Sequence, residues 1–146
     1  MAPMETRGQK REPVNFLAEY AIDEATEKTI KLNVPAKDAS GKAVFQKAGL
    51  LDISVQGCGL DSLYLIPPGV ILDINIESAP FAAEAGKDRK EPMRVTGSVR
   101  SCSMKSQGHY RLGIQFTKIS NEDKDLLSAF ITNKERRSSP RWDLSK

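Results

Sequence analysis

The chain has 146 residues, of which 39% are hydrophobic and 28% charged, and its formal net charge at pH 7 is +3. Adding the glycines raises the apolar share to about 46%, which is typical of one soluble globular domain with a real core. This composition excludes a mainly disordered chain and leaves no room for several domains. No apolar run approaches the roughly 20 residues that a membrane-spanning helix needs.

The termini and the cysteines predict the compartment. Residues 1–13 lack the apolar core of a signal peptide, and Cys58 and Cys102 have no CxxC spacing. We therefore expect a cytoplasmic protein with reduced thiols. Residues 134–146 carry a net charge of +3, equal to that of the whole chain, so the positive charge belongs to a basic tail.

The first third of the chain predicts an arm followed by a hairpin. Residues 1–13 are rich in charge, Pro and Gly and are expected to form a flexible arm. From Val14 to Ile22 apolar and polar residues alternate with a period near two, which favours a half-buried strand, although the helix formers in AEYAIDEATEK make a helix the competing interpretation. The alternation returns at 30–34, and the polar stretch 36–42 predicts a turn.

The middle of the chain predicts two further strands and a loop. The first runs over 43–54 and is closed by Gly57 and Gly59. The second follows the Pro67-Pro68-Gly69 turn and spans Val70 to Ile76. Small residues, two prolines and mixed charges over 78–92 indicate a loop long enough to be mobile.

The last third predicts a hairpin and a helix. Residues 95–104 and 109–119 alternate around the polar turn KSQG. Ser120 can cap a helix over about 121–133 that carries Asp123 at its third position. Its apolar face is formed by Leu126, Leu127, Phe130 and Ile131. We therefore predict a mostly β fold, a small antiparallel barrel or sandwich with a C-terminal α-helix, with the folded body over 14–133.

The residue inventory argues against an enzyme. His109 is the one histidine, lies in or beside a turn, and is expected to be structural or solvent-exposed. One His and two distant Cys do not supply the four ligands of a zinc site, so we expect no metal and no cofactor. Gly57-Cys58-Gly59 lacks the third glycine and the following helix of a dinucleotide fingerprint. No pair of carboxylates stands out for acid–base chemistry.

Two short motifs carry a chemical signal together. The arm holds Arg7 and Arg11, four positions apart, and the first internal strand ends in Asp52-x-Ser54-x-x-Gly57. Arginine forms bidentate bonds with phosphate or with the O6/N7 edge of guanine and stacks on purines. A carboxylate accepts from guanine N–H groups, a serine hydroxyl adds a donor or acceptor, and glycine permits close approach to the backbone. The set matches a guanine nucleotide that carries phosphates.

With these residues the chain resembles the PilZ domain family, whose signature is an RxxxR arm followed by a [D/N]xSxxG turn on a small β-barrel. LLDISVQGCGL, PPGVILDINI, VTGSVRSCSM, YRLGIQF and the late helix follow in the family's order, so the resemblance covers roughly 7–133. It implies a split-barrel fold and a bacterial receptor for the second messenger cyclic di-GMP. The ligand-binding residues that it implies are Arg7, Arg11, Asp52, Ser54 and Gly57.

The resemblance also implies a switch in which ligand binding orders the arm and an unidentified partner protein detects the change. A second basic cluster near the C-terminus consists of Arg136, Arg137 and Arg141. It is a candidate for a secondary ligand contact across a possible homodimer, or for a contact with a partner protein. A plain basic tail is the simpler interpretation. Two other functions stay open: a PilZ-like protein–protein interaction module that binds no nucleotide, and a weak nucleic-acid binder. The small net charge and nine aromatic residues disfavour specific nucleic-acid binding.

Overall fold

The computed structural model describes residues 12–23, 39–41 and 44–138, except for the side chains of 135–138. The described part contains six strands and two helices. They are β1 (Glu12–Ile22), β2 (Gln46–Ile53), β3 (Gly57–Ser62), β4 (Ile71–Ile76), α1 (Ala79–Glu84), β5 (Met93–Ser106), β6 (His109–Lys118) and α2 (Asn121–Ser138).

The six strands close into an antiparallel barrel in the order β1-β2-β3-β6-β5-β4, and β4 pairs back onto β1. Successive side chains of a strand point to opposite faces, so alternating apolar residues collect inside the barrel. In β1 this inward set includes Ala18, Tyr20 and Ile22, which are all buried. The predicted mostly β fold, a small antiparallel barrel with a C-terminal helix, is confirmed, and β1 is a strand rather than the competing helix.

Both helices pack against the barrel through an aromatic cluster. Phe81 of α1 lies 5.1 Å from Phe16 of β1 and 4.7 Å from Phe130 of α2, measured between ring centroids, and both pairs meet edge to face. This geometry is favourable for aromatic pairs. The predicted apolar face of α2, comprising Leu126, Leu127, Phe130 and Ile131, is buried as expected.

The segment 78–92, predicted as a mobile loop, begins with helix α1. Phe81 and Ala82 are fully buried, so packing against the barrel stabilises a helix too short to form by itself. Arg89 ties the rest of the segment to α2, because its Nη1 donates to Asp123 Oδ1 at 2.6 Å and Asp123 is buried. The prediction of a loop was therefore wrong for residues 79–84, which are helical.

The β2–β3 region differs from the prediction in its glycines. Gly57 and Gly59, expected to close a strand, lie in β3, and β2 covers the later part of the predicted strand 43–54. Residues 39–41 form a turn inside the predicted stretch 36–42, and the rest of that stretch lies outside the described residues. The predicted strand at 30–34 lies outside the described residues.

Helix α2 begins as predicted and ends later. Ser120 Oγ accepts the backbone N–H of Asp123 at 3.1 Å, the hydrogen bond of an N-cap. The helix continues to Ser138, past the predicted end near residue 133, because Lys, Glu and Arg at 134–137 are good helix formers. Within the described ranges neither helix is both long and apolar enough to span a bilayer.

Candidate functional site

The turn between β2 and β3 is shaped by Ser54. The Ser54 N–H donates to the carbonyl oxygen of Gly57 at 2.8 Å, and the N–H groups of Gln56 and Gly57 donate to Ser54 Oγ, both at 3.1 Å. Ser54 is 1% exposed. In this structure its hydroxyl is therefore engaged inside the turn, and it defines the backbone path rather than facing solvent.

Gly57 lies where β3 passes very close to β6. A Cβ atom built on Gly57 would lie 2.1 Å from the carbonyl oxygen of Ile114 and 3.3 Å from Cα of Gln115. Any side chain would push the two strands apart. The turn is further fixed to β6 by the Phe116 N–H, which donates to Gln56 O at 2.8 Å. The glycine is thus required by strand packing.

Asp52 places a carboxylate beside this turn. Its Oδ2 accepts a hydrogen bond from Arg111 Nη2 of β6 at 2.6 Å. The Asp52 side chain is 15% exposed and that of Arg111 is 39% exposed, so the pair lies at the barrel surface. The short distance is typical of a charge-assisted hydrogen bond.

Arg111 reaches Asp52 by crossing over Gly59 of β3. A Cβ atom on Gly59 would lie 2.8 Å from both Nη atoms of Arg111 and 2.9 Å from Cζ. Glycine at this position therefore makes room for the guanidinium. Sequence reasoning gave Arg111 no role, although the alternation with buried Leu112 and Ile114 already indicated that Arg111 faces outward.

Near this pair, the carboxylate of Asp61 in β3 contacts the side chains of Lys105 and His109. Lys105 Nζ lies 3.2 Å from Asp61 Oδ2, and His109 Nδ1 lies 3.1 Å from Asp61 Oδ1. Burial by itself raises the pKa of Asp61, but the hydrogen bonds with His109 and Lys105 outweigh it and hold the pKa below its ordinary value. His109 is half-exposed, which agrees with the expectation of a structural or solvent-exposed residue.

The register of β1 against β2 places the start of β1 beside the turn. Glu12 pairs with Ile53, and Pro13 pairs with Asp52. Arg11 directly precedes Glu12 in the chain, so the arm is attached to the barrel beside the Asp52–Gly57 turn. Arg7 and Arg11 themselves lie outside the described residues.

The position of the second basic cluster relative to this site lies outside what the described residues show. The backbone of Arg136 and Arg137 belongs to the last turns of α2, and their side chains are not described. Arg141 lies outside the described residues. Cys58 is fully buried in β3.

Comparisons with solved structures identify the fold. The inhibitor of motility MotI/DgrA of Bacillus subtilis matches with a TM-score of 0.62 and 11% identity, over 90% of this chain and 52% of that one. This chain thus spans about half the length of the Bacillus protein. The PilZ domain of Escherichia coli YcgR, solved with c-di-GMP, matches with a TM-score of 0.54 and 15% identity, over 94% of this chain and 96% of that one.

A tetrameric PilZ domain protein of Xanthomonas campestris matches with a TM-score of 0.55 and 12% identity, over 90% of each chain. At identities this low, these matches show a likeness in fold alone. The search of curated proteins finds no match. The model of the PilZ domain family matches residues 6–133, a range that includes both the Arg7–Arg11 arm and the Asp52–Gly57 turn. This chain therefore belongs to the PilZ domain family.

Proposed function

We propose that this protein is a bacterial, cytoplasmic receptor for cyclic di-GMP that binds it through Arg7, Arg11, Asp52, Ser54 and Gly57. The observation that carries the proposal is the pairing of Pro13 with Asp52, which supports a site shared by the arm and the turn although Arg11 and Asp52 are far apart in sequence. The PilZ domain of E. coli YcgR and K. pneumonia MrkH, both similar in fold, have been solved with c-di-GMP.

Each residue has a distinct task in the proposed site. Arg7 and Arg11 bind phosphate oxygens and the O6/N7 edge of guanine through their planar guanidinium groups. Asp52 accepts hydrogen bonds from guanine N–H groups. Ser54 and Gly57 act mainly by setting the turn that presents Asp52, given the burial of Ser54 and the close approach of Gly57 to β6.

In this proposal cyclic di-GMP switches the protein between two conformations and is not chemically converted. A ligand shifts a conformational equilibrium only by its differential affinity for the two states, so the arm must gain contacts with cyclic di-GMP that it lacks without it. The ordered arm and the adjoining barrel surface then form the surface that an effector protein binds.

Isothermal titration of cyclic di-GMP tests the proposal, with GTP and cyclic GMP as control ligands. We expect saturable binding by the wild type and a loss of roughly 10-fold or more for Arg7→Ala/Arg11→Ala and for Asp52→Ala, since each removes hydrogen bonds to charged groups. Asp73→Ala is the matched control, because Asp73 is an exposed strand carboxylate of β4 that bonds Thr96 Oγ1 at 3.3 Å. Absence of binding by the wild type, or equal loss in the control, refutes the proposed site.

The Asp52–Arg111 pair favours a second candidate, a PilZ-like protein–protein interaction module that binds no nucleotide. A carboxylate already bound by a guanidinium at 2.6 Å has less to gain from guanine. A wild type that gives no heat and no thermal shift with cyclic di-GMP, yet is folded, supports this candidate.

The second basic cluster, Arg136, Arg137 and Arg141, is proposed as a secondary contact to ligand across a homodimer or to the effector protein. Replacing Arg137 and Arg141 with Ala tests it by ligand titration and analytical ultracentrifugation. Unchanged affinity and oligomeric state exclude both the ligand-site and the dimer roles.

A further inference from the structure

We propose that the Arg111 guanidinium is a flat platform on which one guanine base of cyclic di-GMP stacks. This assignment rests on the proposed function and deepens it, because it adds a binding residue that belongs to neither sequence motif. It follows from the orientation of the guanidinium, its exposure, and its position beside Asp52.

The orientation is given by the distances to Gly59. A Cβ atom on Gly59 would be almost equally far from Nη1, Nη2 and Cζ of Arg111, at 2.8, 2.8 and 2.9 Å. A point at these equal distances from the three atoms lies above the plane of the group and not beside its edge. One face of the guanidinium therefore covers Gly59, and the opposite face points away from the barrel.

The Arg111 side chain is partly exposed and held in place. The Arg111 side chain is 39% exposed, whereas Gly59 beneath it is buried, so the side of the group that faces Gly59 is covered and solvent reaches the side chain elsewhere. The hydrogen bond from Nη2 to Asp52 Oδ2 at 2.6 Å engages the edge of the group and limits its rotation. A planar cation fixed in this way loses little conformational entropy when a base stacks on it.

The chemistry of the exposed face suits a purine. Guanidinium planes stack on aromatic rings through cation–π and dispersion forces, a common way of holding unpaired bases. Asp52, the residue proposed to accept from guanine, binds the same guanidinium. A base bound at Asp52 is therefore within reach of the platform, and the Asp52–Arg111 pair serves binding instead of competing with it.

Two conservative variants test stacking on the Arg111 guanidinium separately from its charge and from the stability of the fold. Arg111→Lys keeps the positive charge but removes the flat face. Gly59→Ala should displace the flexible end of Arg111, because the three atoms nearest the added Cβ all belong to that guanidinium group. Arg100→Lys is the matched control, since Arg100 of β5 is exposed and its Nη1 bonds Gln115 Oε1 at 2.9 Å.

The test titrates cyclic di-GMP into these variants by calorimetry and follows the Cδ protons of Arg111 by NMR in the wild type. We expect roughly 10-fold weaker binding for Arg111→Lys and Gly59→Ala, less than about 2-fold for Arg100→Lys, and an upfield ring-current shift of the Arg111 Cδ protons at saturation. Circular dichroism should show that all three variants are folded.

The outcomes separate this inference from the proposed function. Wild-type affinity in both Arg111→Lys and Gly59→Ala overturns the platform and leaves the receptor function intact. Weaker binding without a ring-current shift also overturns stacking, because Arg111 then acts only by positioning Asp52. A wild type that does not bind cyclic di-GMP overturns both.

Discussion

Replacing Gly57 with alanine tests the packing on which the β2–β3 turn depends. The added methyl group would lie 2.1 Å from the carbonyl oxygen of Ile114, far inside ordinary van der Waals contact. The opposing atoms are backbone, so no side-chain rotation relieves the clash. Strand β3 must instead move away from β6 and strain the pairing of Gly57 with Gln115.

Overpacking of this kind typically costs about 1–3 kcal/mol, and we expect the upper end because strand pairing is disturbed as well. Gly49→Ala is the matched control, because its added Cβ would lie 3.6 Å from Asp61 Cβ, an ordinary contact. That variant should unfold like the wild type or gain up to about 1 kcal/mol, since alanine restricts the unfolded chain.

Urea denaturation followed by far-UV circular dichroism measures both effects. At about 3 kcal/mol the Gly57→Ala variant should also melt roughly 10 °C lower than the wild type. The denaturant slope should stay the same if both variants unfold in two states. Equal urea midpoints for Gly57→Ala and Gly49→Ala would refute the steric argument.

Three further predictions concern stability. Burial raises the pKa of Tyr20 to about 12, and its hydroxyl lies 2.7 Å from that of Ser62. Because the folded pKa exceeds the unfolded value near 10, the contribution of the neutral phenol to stability is complete below pH 10, and up to about 3 kcal/mol of it is lost as pH rises toward 12. The fall in the free energy of unfolding between pH 9 and 11, measured by urea unfolding, should therefore be smaller in Tyr20→Phe. Arg89→Ala leaves buried Asp123 without its 2.6 Å partner and should cost about 3 kcal/mol in urea unfolding, partly recovered by adding Asp123→Asn; no recovery would show that the buried charge is not the cause. Ser120→Ala removes the N-cap of α2 and should cost about 1 kcal/mol, while Ser120→Asp should retain most of it; equal melting temperatures for the two variants would contradict the capping role.

Much of the secondary structure was predictable because it depends on neighbours in the chain. Period-two alternation indicated β1, β4 and the β5–β6 hairpin, and the apolar face of α2 followed from the spacing of its buried residues. The capping bond of Ser120 joins residues three positions apart, so sequence alone predicted it. Helix α1 was missed because its six residues become helical only by burying Phe81 against the barrel.

The candidate site likewise has features that could be predicted from the sequence and features that could not. Asp52, Ser54 and Gly57 could be predicted as a motif from the sequence, together with the chemistry open to those residue types. Two features could be seen only in the folded chain: Ser54 faces into the turn, and Arg111, 59 residues from Asp52, reaches that carboxylate across a glycine. Local patterns depend on side chains a few positions apart, whereas these contacts depend on strand order and register, which arise only when all six strands close together on one core.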